Sequence, residues 1–237
     1  MLLAMTVRQS IASSAIKRFL FTVAPISGKP YMNVPDPPLL VISDHLQARR
    51  PLIEIAEAAF RGGCRWFSLR EKDLATAEQR DLLRALVLLG HNFGATVTAH
   101  EDILSVVAAG AGGVHLPGGG DPAAARARLP LGLIGVSAHT TEEAAAQLRA
   151  GADYVTLSPI FLSASKPGYG PAVGLDALAA AARLSAEPVI ALGGIDSANA
   201  AACLAAGARG IAVMGEVMRA ADPEETVRRL VAAIEKK

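Results

Sequence analysis

The chain has 237 residues, of which 51% are apolar, 19% charged and 4% aromatic, and this size and composition predict one domain with a large apolar core. With 23 Lys and Arg against 22 Asp and Glu, the formal charge is only +1, which excludes the strongly basic surface that duplex nucleic acid selects. Cys64 and Cys203 lie far apart, and no other Cys or His stands at metal-ligand spacing from them. Every apolar stretch is interrupted by Gly, Pro or a charged residue before it reaches the roughly 18 residues that a membrane span needs. We therefore expect a cytoplasmic protein that binds neither nucleic acid nor membrane.

Residues 1–37 differ in composition from the rest of the chain. Before Asp36 their only charged side chains are Arg8, Lys17, Arg18 and Lys29. Together with frequent Ser and Thr, this composition is typical of a targeting leader. An extended or misassigned start, with Met32 as an internal initiator, explains the segment as well, and we prefer that interpretation.

From residue 39 onward, short β-branched runs alternate with Ala-rich stretches of helical period, which is the pattern of parallel βα units. The predicted strands are Leu39–Asp44, Trp66–Glu71, Thr96–Glu101, Gly113–Pro117, Leu133–His139, Tyr154–Ile160, Pro188–Gly194 and Gly210–Glu216. An internal repeat of helix end, glycine and strand start supports them. Its copies are AAGAGGVHL at 108–116, RAGADYVTL at 149–157 and AAGARGIAV at 205–213. In this repeat Gly110, Gly151 and Gly207 are predicted to follow helices with positive φ.

Eight βα units in about 200 residues match the short end of the (β/α)₈ barrel, whereas a doubly wound sheet usually has fewer strands and a Gly-x-Gly-x-x-Gly fingerprint. No such fingerprint follows the first strand. We predict an α/β fold in which residues 38–237 form a single (β/α)₈ TIM barrel. In such barrels, catalytic groups lie where strands end and βα loops begin.

Two cations follow the second predicted strand. Arg70 and Lys72 are two residues apart, so their side chains share one side of an extended chain. Adjacent cations suit a phosphate or pyrophosphate. Neutralisation by Glu71 and Asp73 in an ordinary salt-bridged rim is the alternative.

Carboxylates follow the next two strands. Glu101 comes directly after His100, and Asp121 lies in the glycine-rich loop after the fourth strand. Because neighbouring parallel strands lie about 4.8 Å apart, the two carboxylates can converge on one hard cation, and we name them as Mg²⁺ candidates. Asp121 also precedes Pro122 and an Ala-rich helix, which is the pattern of an N-cap.

Hydroxyl groups and a lysine follow the fifth and sixth strands. Ser137 and His139 end the fifth, where His139 is a candidate acid or base. Ser163, Ser165 and Lys166 follow the sixth and offer hydrogen-bond donors to an anion. A surface turn explains the same composition.

Glycines follow the seventh and eighth strands. Gly193 and Gly194 end the seventh, and Gly215 lies near the end of the eighth. They let backbone N–H groups approach a phosphate at the place where many barrels bind one, although a tight turn alone would also use the pair. In the fourth strand, His115 alternates with apolar neighbours, and we interpret it as a hydrogen-bonded core histidine.

Six segments together resemble the thiamine phosphate synthase family, in its order and spacing across residues 39–217. They are LREKD at 69–73, GVHL at 113–116, GVSAHT at 135–140, SPIF at 158–161, ALGGI at 191–195 and IAVM at 211–214. The resemblance implies a (β/α)₈ transferase, a thiamine-phosphate pyrophosphorylase. It would join hydroxymethylpyrimidine pyrophosphate to a thiazole phosphate with Mg²⁺ as cofactor, releasing pyrophosphate.

The resemblance also implies roles for individual positions. Arg70 and Lys72 match the pyrophosphate-binding pair, whereas Ser137 and Lys166 match residues that contact the pyrophosphate and help it leave. The predicted catalytic residues are Arg70, Ser137, His139 and Lys166. The predicted substrate contacts are Ser68, Arg70, Lys72, His100, Ser137, Ser163, Ser165, Lys166, Gly193, Gly194, Val213 and Met214. The last four of these match the loops that hold the thiazole phosphate.

Three departures from the family keep alternatives open. The family usually has Gln at the position of Ser68, an Asn-Asp pair at His100 and Glu101, and Gln-Glu-Asp in place of the glycine-rich loop after GVHL. A sister group of thiazole tautomerases uses a histidine at the place of His139 and needs neither pyrophosphate nor metal. A tautomerase-like isomerase is thus one alternative, and a catalytically silent phosphate-binding barrel is another. The expected partners are small phosphorylated substrates, and a homo-oligomer is compatible with the sequence.

Overall fold

The structure, a computed structural model, describes residues 34–100, 102–162 and 171–235. In them, eight parallel strands pair in chain order and close into a barrel, with the last strand beside the first. The strands are β1 Leu39–Ile42, β2 Trp66–Leu69, β3 Thr96–His100, β4 Gly113–Leu116, β5 Leu133–Ala138, β6 Tyr154–Leu157, β7 Val189–Leu192 and β8 Gly210–Val213. The predicted (β/α)₈ barrel is confirmed.

Helices follow the strands in the described part of the chain. They are α1 Leu52–Arg61, α2 Thr76–His91, α3 Ile103–Ala109, α4 Pro122–Arg128, α5 Thr141–Arg149, α6 Gly174–Arg183, α7 Ala200–Ala205, α8 Gly215–Met218 and α9 Pro223–Glu235. All eight predicted strands form, and each ends earlier than predicted. The polar residues at their ends leave the ladder and begin the βα loops. No helix among the described residues is long and apolar enough to cross a membrane.

The repeated glycines behave as predicted. Gly110, Gly151 and Gly207 have φ angles of 66°, 109° and 97°, in the region that residues with a side chain rarely adopt. Each lets the chain turn sharply from a helix into the next strand. The repeat therefore marks three of the αβ turns of the barrel.

The barrel has an inner and an outer apolar core. The outer core packs helices against the outward residues of the strands and includes Cys64 and Cys203. The predicted apolar burial of Cys203 is confirmed. The inner core consists of Leu40, Ile42, Trp66, Leu133, Tyr154, Ile190 and Ala212. In it the rings of Trp66 and Tyr154 pack edge to face with centroids 4.7 Å apart.

Hydrogen bonds from the βα loops to neighbouring strands hold the carboxyl end of the barrel together. The N–H of Ser43 donates to the carbonyl of Ser68 at 2.9 Å, and the N–H of Ile160 donates to the carbonyl of Leu192 at 2.9 Å. These bonds extend the ladder beyond the regular strands. They give the loops at this end of the barrel a defined geometry, and the predicted site residues lie there.

Candidate active site

A cavity of about 410 Å³ opens at the carboxyl end of the barrel. The predicted site residues that line it are Arg70, Lys72, His100, Ser137, His139, Gly193, Gly194, Val213 and Met214. They come from five different strands or the loops after them. Closure of the barrel therefore brings together residues that are far apart in the sequence, as expected for a TIM barrel.

The other predicted residues fall into two groups. Ser68 is fully buried and does not line the cavity, because it is the inward residue of β2 one layer deeper than Arg70. Asp121 is exposed and is likewise not among the lining residues. Glu101, Ser163, Ser165 and Lys166 lie outside the described residues.

The loop after β1 anchors the turn that carries the two cations. Ser43 Oγ accepts a hydrogen bond from the N–H of Arg70 at 2.8 Å. Glu71, between the cations, is buried with only 1% of its side chain exposed, and its Oε2 accepts from the N–H of His45 at 3.0 Å. Alternation along the chain thus places Arg70 and Lys72 at the cavity and Glu71 against the neighbouring loop.

His45 also makes a side-chain contact with this turn. Its Nδ1 lies 2.6 Å from Glu71 Oε2, and its Nε2 lies 3.7 Å from Asp73 Oδ2. The hydrogen bond to Glu71 raises the pKa of His45 above its usual value, partial burial opposes this shift, and the charges of Glu71, Asp73 and Asp44 reinforce it. The imidazolium form is therefore favoured beside these carboxylates.

Two histidines form the floor of the cavity. His100 and His115 are paired residues on β3 and β4, and their ring centroids lie 4.6 Å apart. His115 contacts Tyr154 Oη through Nδ1 and Ser137 Oγ through Nε2, both at 3.0 Å, so the interpretation of His115 as a hydrogen-bonded core histidine is confirmed. It also lines the cavity.

Both histidines of the floor are neutral at neutral pH. Burial lowers the pKa of His115 to about 3, and Arg70 adds repulsion. Burial also lowers the pKa of His100 well below its usual value, with further repulsion from His115 and the nearby cations. His100 Nε2 is buried and has no hydrogen-bond partner among the described residues. The His100 residue lines the cavity, but this ring nitrogen is covered.

His139 is oriented by the loop after β6. Its Nδ1 lies 2.9 Å from the carbonyl oxygen of Ser158, and its backbone N–H donates to Glu143 Oε2 at 2.7 Å. Because a carbonyl only accepts, Nδ1 carries the proton in this contact, and the neutral ring then has its lone pair on Nε2. This tautomer suits a group that accepts a proton.

The glycine pair after β7 packs closely against the loop after β6. Gly193 and Gly194 have φ angles of 99° and 64°. A Cβ atom at Gly193 would lie 2.8 Å from the Cα of Pro159, and one at Gly194 would lie 2.5 Å from the carbonyl oxygen of Leu162. The pair therefore forms a tight turn that only glycine fits, and the same two residues line the cavity.

A third cation of the cavity was not predicted from the sequence. Arg219 follows α8 and lines the cavity, and its guanidinium donates to the side-chain oxygen of Gln47. The sequence prediction covered the strand ends, and Arg219 lies beyond them, after the one-turn helix α8 that follows β8.

The described residues contain no group of three or more His, Cys, Asp or Glu side chains arranged to hold a metal ion. Asp121 Oδ1 accepts the N–H of Ala124 at 3.0 Å, which confirms that Asp121 is the N-cap of α4. The N-cap hydrogen bond uses one carboxylate oxygen, and the second oxygen takes no part in it. Oxygen is the ligand that Mg²⁺ prefers, so the donor chemistry of Asp121 fits this ion.

Comparison with known proteins identifies the family. The family model described as thiamine monophosphate synthase matches residues 39–217. This chain belongs to the thiamine monophosphate synthase family. The resemblance recognised in the six sequence segments is thereby confirmed.

Relatives of this thiamine monophosphate synthase family member match over most of their length. A protein of Geobacter sulfurreducens named as a candidate thiamine-phosphate synthase is 44% identical over 199 residues, covering 83% of this chain and 93% of the relative. The thiamine-phosphate synthase of Roseiflexus sp. is 39% identical over 197 residues, covering 82% and 84%. The solved thiamine phosphate pyrophosphorylase of Pyrococcus furiosus is 29% identical with a TM-score of 0.76, covering 84% and 95%.

Proposed function

We propose that this protein is a thiamine phosphate synthase, a transferase that joins hydroxymethylpyrimidine pyrophosphate to thiazole phosphate. The observation that carries the proposal is one cavity, in a chain of this family, lined by Arg70, Lys72, Ser137 and the Gly193–Gly194 turn. Cations at one side and a glycine turn at the other suit two phosphorylated substrates. The catalytic domain is proposed to be residues 38–237, acting in the cytoplasm.

The cationic side of the cavity is proposed to bind the pyrophosphate. Arg70 and Lys72 contribute two positive charges, and Ser137 contributes a hydroxyl. Lys166 is proposed to join them, with Ser163 and Ser165 as further donors. The C–O bond to pyrophosphate breaks as the pyrimidine methylene becomes a carbocation, and fixed positive charge stabilises the departing anion.

The thiazole nitrogen supplies the electron pair for the new C–N bond, so no protein nucleophile is needed. The thiazole phosphate is proposed to bind backbone N–H groups of the loops after β7 and β8, at Gly193, Gly194, Val213 and Met214. Support comes from the position of these residues at the cavity. The absence of side chains at the glycine pair lets the turn pack against the loop after β6, which holds the backbone of the turn beside the cavity.

His100 is proposed to contact the pyrimidine. The residue lines the cavity in place of the amide usual in the family, and a bound heterocycle would supply the partner that its buried Nε2 lacks among the described residues. Ser68 is proposed as a deeper contact in the layer beneath, because its Oγ is also buried without a partner among the described residues.

Mg²⁺ is proposed as the cofactor, held by Glu101 and Asp121. The ion commonly uses one or two carboxylates together with substrate phosphates, so a sparse protein shell is sufficient. When bound, it would neutralise part of the pyrophosphate charge. The N-cap contact uses Oδ1 of Asp121, so Oδ2 is the atom that would ligate the ion.

The decisive experiment incubates the purified protein with both substrates and Mg²⁺ and follows thiamine phosphate by mass spectrometry. We expect thiamine phosphate and pyrophosphate in equal amounts, and neither product when one substrate is omitted. Absence of both products with all components present would overturn the proposal.

A second candidate function is thiazole phosphate tautomerisation. It is favoured by one observation, the 2.9 Å contact of His139 Nδ1 with the Ser158 carbonyl oxygen, which would make Nε2 the basic nitrogen of the neutral ring. It predicts that the protein interconverts thiazole phosphate tautomers in excess EDTA and that His139→Ala alone stops this reaction. Binding of phosphorylated ligands without either reaction would instead identify a silent barrel.

A further inference from the structure

Three polar side chains from three neighbouring strands form a buried chain that ends at the cavity. Tyr154 of β6, His115 of β4 and Ser137 of β5 are joined by the two 3.0 Å contacts of the His115 ring. Tyr154 is fully buried and His115 is 2% exposed, whereas Ser137 lines the cavity. The proposed function assigns no role to Tyr154 or His115.

Gly135 makes the contact between Tyr154 and His115 possible. On the intervening strand β5, Gly135 is the Cα partner of His115 on one side and of Tyr154 on the other. A Cβ atom at Gly135 would lie 2.0 Å from the Tyr154 ring and 2.4 Å from its hydroxyl oxygen. The missing side chain lets the Tyr154 hydroxyl pass across β5 to reach the imidazole.

The hydroxyl of Tyr154 determines which nitrogen of His115 carries the proton. Burial raises the pKa of Tyr154, so the phenol keeps its proton, and His115 Nδ1 is its hydrogen-bond partner. A buried O–H needs an acceptor, and Nδ1 accepts only when it is unprotonated. Because burial keeps His115 neutral, the ring proton is then on Nε2.

The proton on Nε2 in turn determines the direction of the Ser137 hydroxyl. Nε2–H donates to Ser137 Oγ at 3.0 Å, and Thr156 Oγ1 is a more distant neighbour at 3.4 Å. A serine hydroxyl has one proton to donate. With its oxygen already accepting from His115, Ser137 directs that proton into the cavity.

We propose that Tyr154 and His115 are positioning residues that hold Ser137 as a hydrogen-bond donor to the anionic substrate. The opposite tautomer would leave the Tyr154 O–H unpaired and make Nε2 an acceptor. Ser137 would then donate to His115 and offer only lone pairs to an anion, which repel it. The identity of the anion as pyrophosphate rests on the proposed function, whereas the tautomer is a property of the ligand-free protein.

The first test is long-range ¹H–¹⁵N NMR of the imidazole nitrogens in the ligand-free protein, with His115 assigned by comparison with His115→Gln. We expect a neutral ring protonated on Nε2. Thr156→Val, which removes the other hydroxyl near Nε2, is the matched control and should keep that tautomer. A proton on Nδ1 in the parent protein, or on both nitrogens, would overturn the proposal.

The second test asks whether His115 acts through Ser137. His115→Met removes both ring nitrogens at similar volume and should lower kcat about tenfold or more with little change in KM for the thiazole phosphate. His115→Gln, whose amide N–H can replace Nε2–H, should recover most of this loss. In a Ser137→Ala background, His115→Met should add no further loss. An equal additional loss in that background would refute the link to Ser137.

Binding of inorganic pyrophosphate by calorimetry separates this proposal from the proposed function. If the protein makes no thiamine phosphate but His115→Met weakens pyrophosphate binding only when Ser137 is present, the synthase proposal fails and the positioning proposal stands. If the parent protein is an active synthase and His115→Met matches it in kcat and in pyrophosphate affinity, the positioning proposal fails alone.

Discussion

His45 Nδ1 lies 2.6 Å from Glu71 Oε2, and this contact joins the loop after β1 to the turn that carries two cations of the cavity. The same carboxylate oxygen accepts the backbone N–H of His45 at 3.0 Å. Glu71 is therefore held by the backbone N–H and the imidazole Nδ1 of one residue, on the side of the turn opposite Arg70 and Lys72. The contact ties the position of both cations to the neighbouring loop.

Replacing His45 by Asn should flatten the pH dependence of stability near neutrality. The hydrogen bond to Glu71 raises the pKa of His45 above 6.5 in the folded protein, so this pair stabilises the fold fully below pH 6.5. The contribution is lost as the pH rises through the raised pKa. Because His45 is partly solvated, we expect at most about 1 kcal/mol in total.

Urea unfolding across this pH window measures the effect. The parent protein should lose free energy of unfolding as the pH rises, and His45→Asn should lose less of it. His91→Asn, at an exposed histidine that ends α2, is the matched control and should follow the parent. Identical profiles for His45→Asn and the parent would contradict the role of the pair.

Removing either cation of the turn should weaken binding of the pyrimidine pyrophosphate selectively. A charge-assisted hydrogen bond contributes about 1.5–3 kcal/mol, so Lys72→Ala or Arg70→Ala should lower this affinity about tenfold or more. Thiazole phosphate affinity should change far less. Isothermal titration calorimetry with each substrate tests this, with Arg84→Ala on the exposed face of α2 as control. Unchanged pyrimidine affinity in both variants would show that the assignment is wrong.

The glycine pair after β7 should tolerate no side chain. Gly194 and Gly94 have nearly equal φ angles of 64° and 62°, but a Cβ at Gly94 meets nothing within 4 Å, whereas one at Gly194 meets the Leu162 carbonyl at 2.5 Å. Gly94→Ala should therefore cost only the backbone strain of about 1–2 kcal/mol. Gly194→Ala should cost more in the free energy of unfolding.

The same comparison tests the thiazole phosphate site. Gly193→Val and Gly194→Val should in addition abolish thiazole phosphate binding, because a side chain there meets the loop after β6 and would displace the backbone N–H groups proposed to hold the phosphate. Gly94→Ala should bind the thiazole phosphate with the affinity of the parent protein. Folded valine variants with parental affinity for the thiazole phosphate would exclude this loop as the phosphate site.

Two substitutions at Asp121 separate its structural from its proposed metal-binding role. Asn and Asp are equally good N-caps, so Asp121→Asn should keep the stability of the parent, while Asp121→Ala should lose about 1 kcal/mol. If Asp121 holds Mg²⁺, Asp121→Asn should raise the Mg²⁺ concentration needed for half-maximal turnover. Glu101→Gln should abolish the Mg²⁺-dependent turnover and leave thiazole phosphate binding intact. If Asp121→Asn and Glu101→Gln both keep the Mg²⁺ dependence of the parent protein, these carboxylates do not hold the ion.

Local sequence signals determined the framework of this protein. Alternation of strand and helix periods predicted eight βα units, and a repeat placed Gly110, Gly151 and Gly207 at the turns. The Asp-Pro pair at 121 and 122 predicted the N-cap of α4. These features depend on neighbouring residues along the chain, so the sequence contains the whole of their physical cause.

Only the tertiary structure decided how deeply each side chain is buried and which distant residue it contacts. Ser68 and Arg70 are two residues apart and point inward alike, yet the packing of the barrel layers buries Ser68 and leaves Arg70 at the cavity. His45 meets Glu71 across 26 positions, and Tyr154 meets His115 across 39. Such contacts depend on the register of β1 with β2 and of β4 to β6, which closure of the barrel sets. No spacing within the chain encodes that register, since it follows from how all eight strands tilt and pack together.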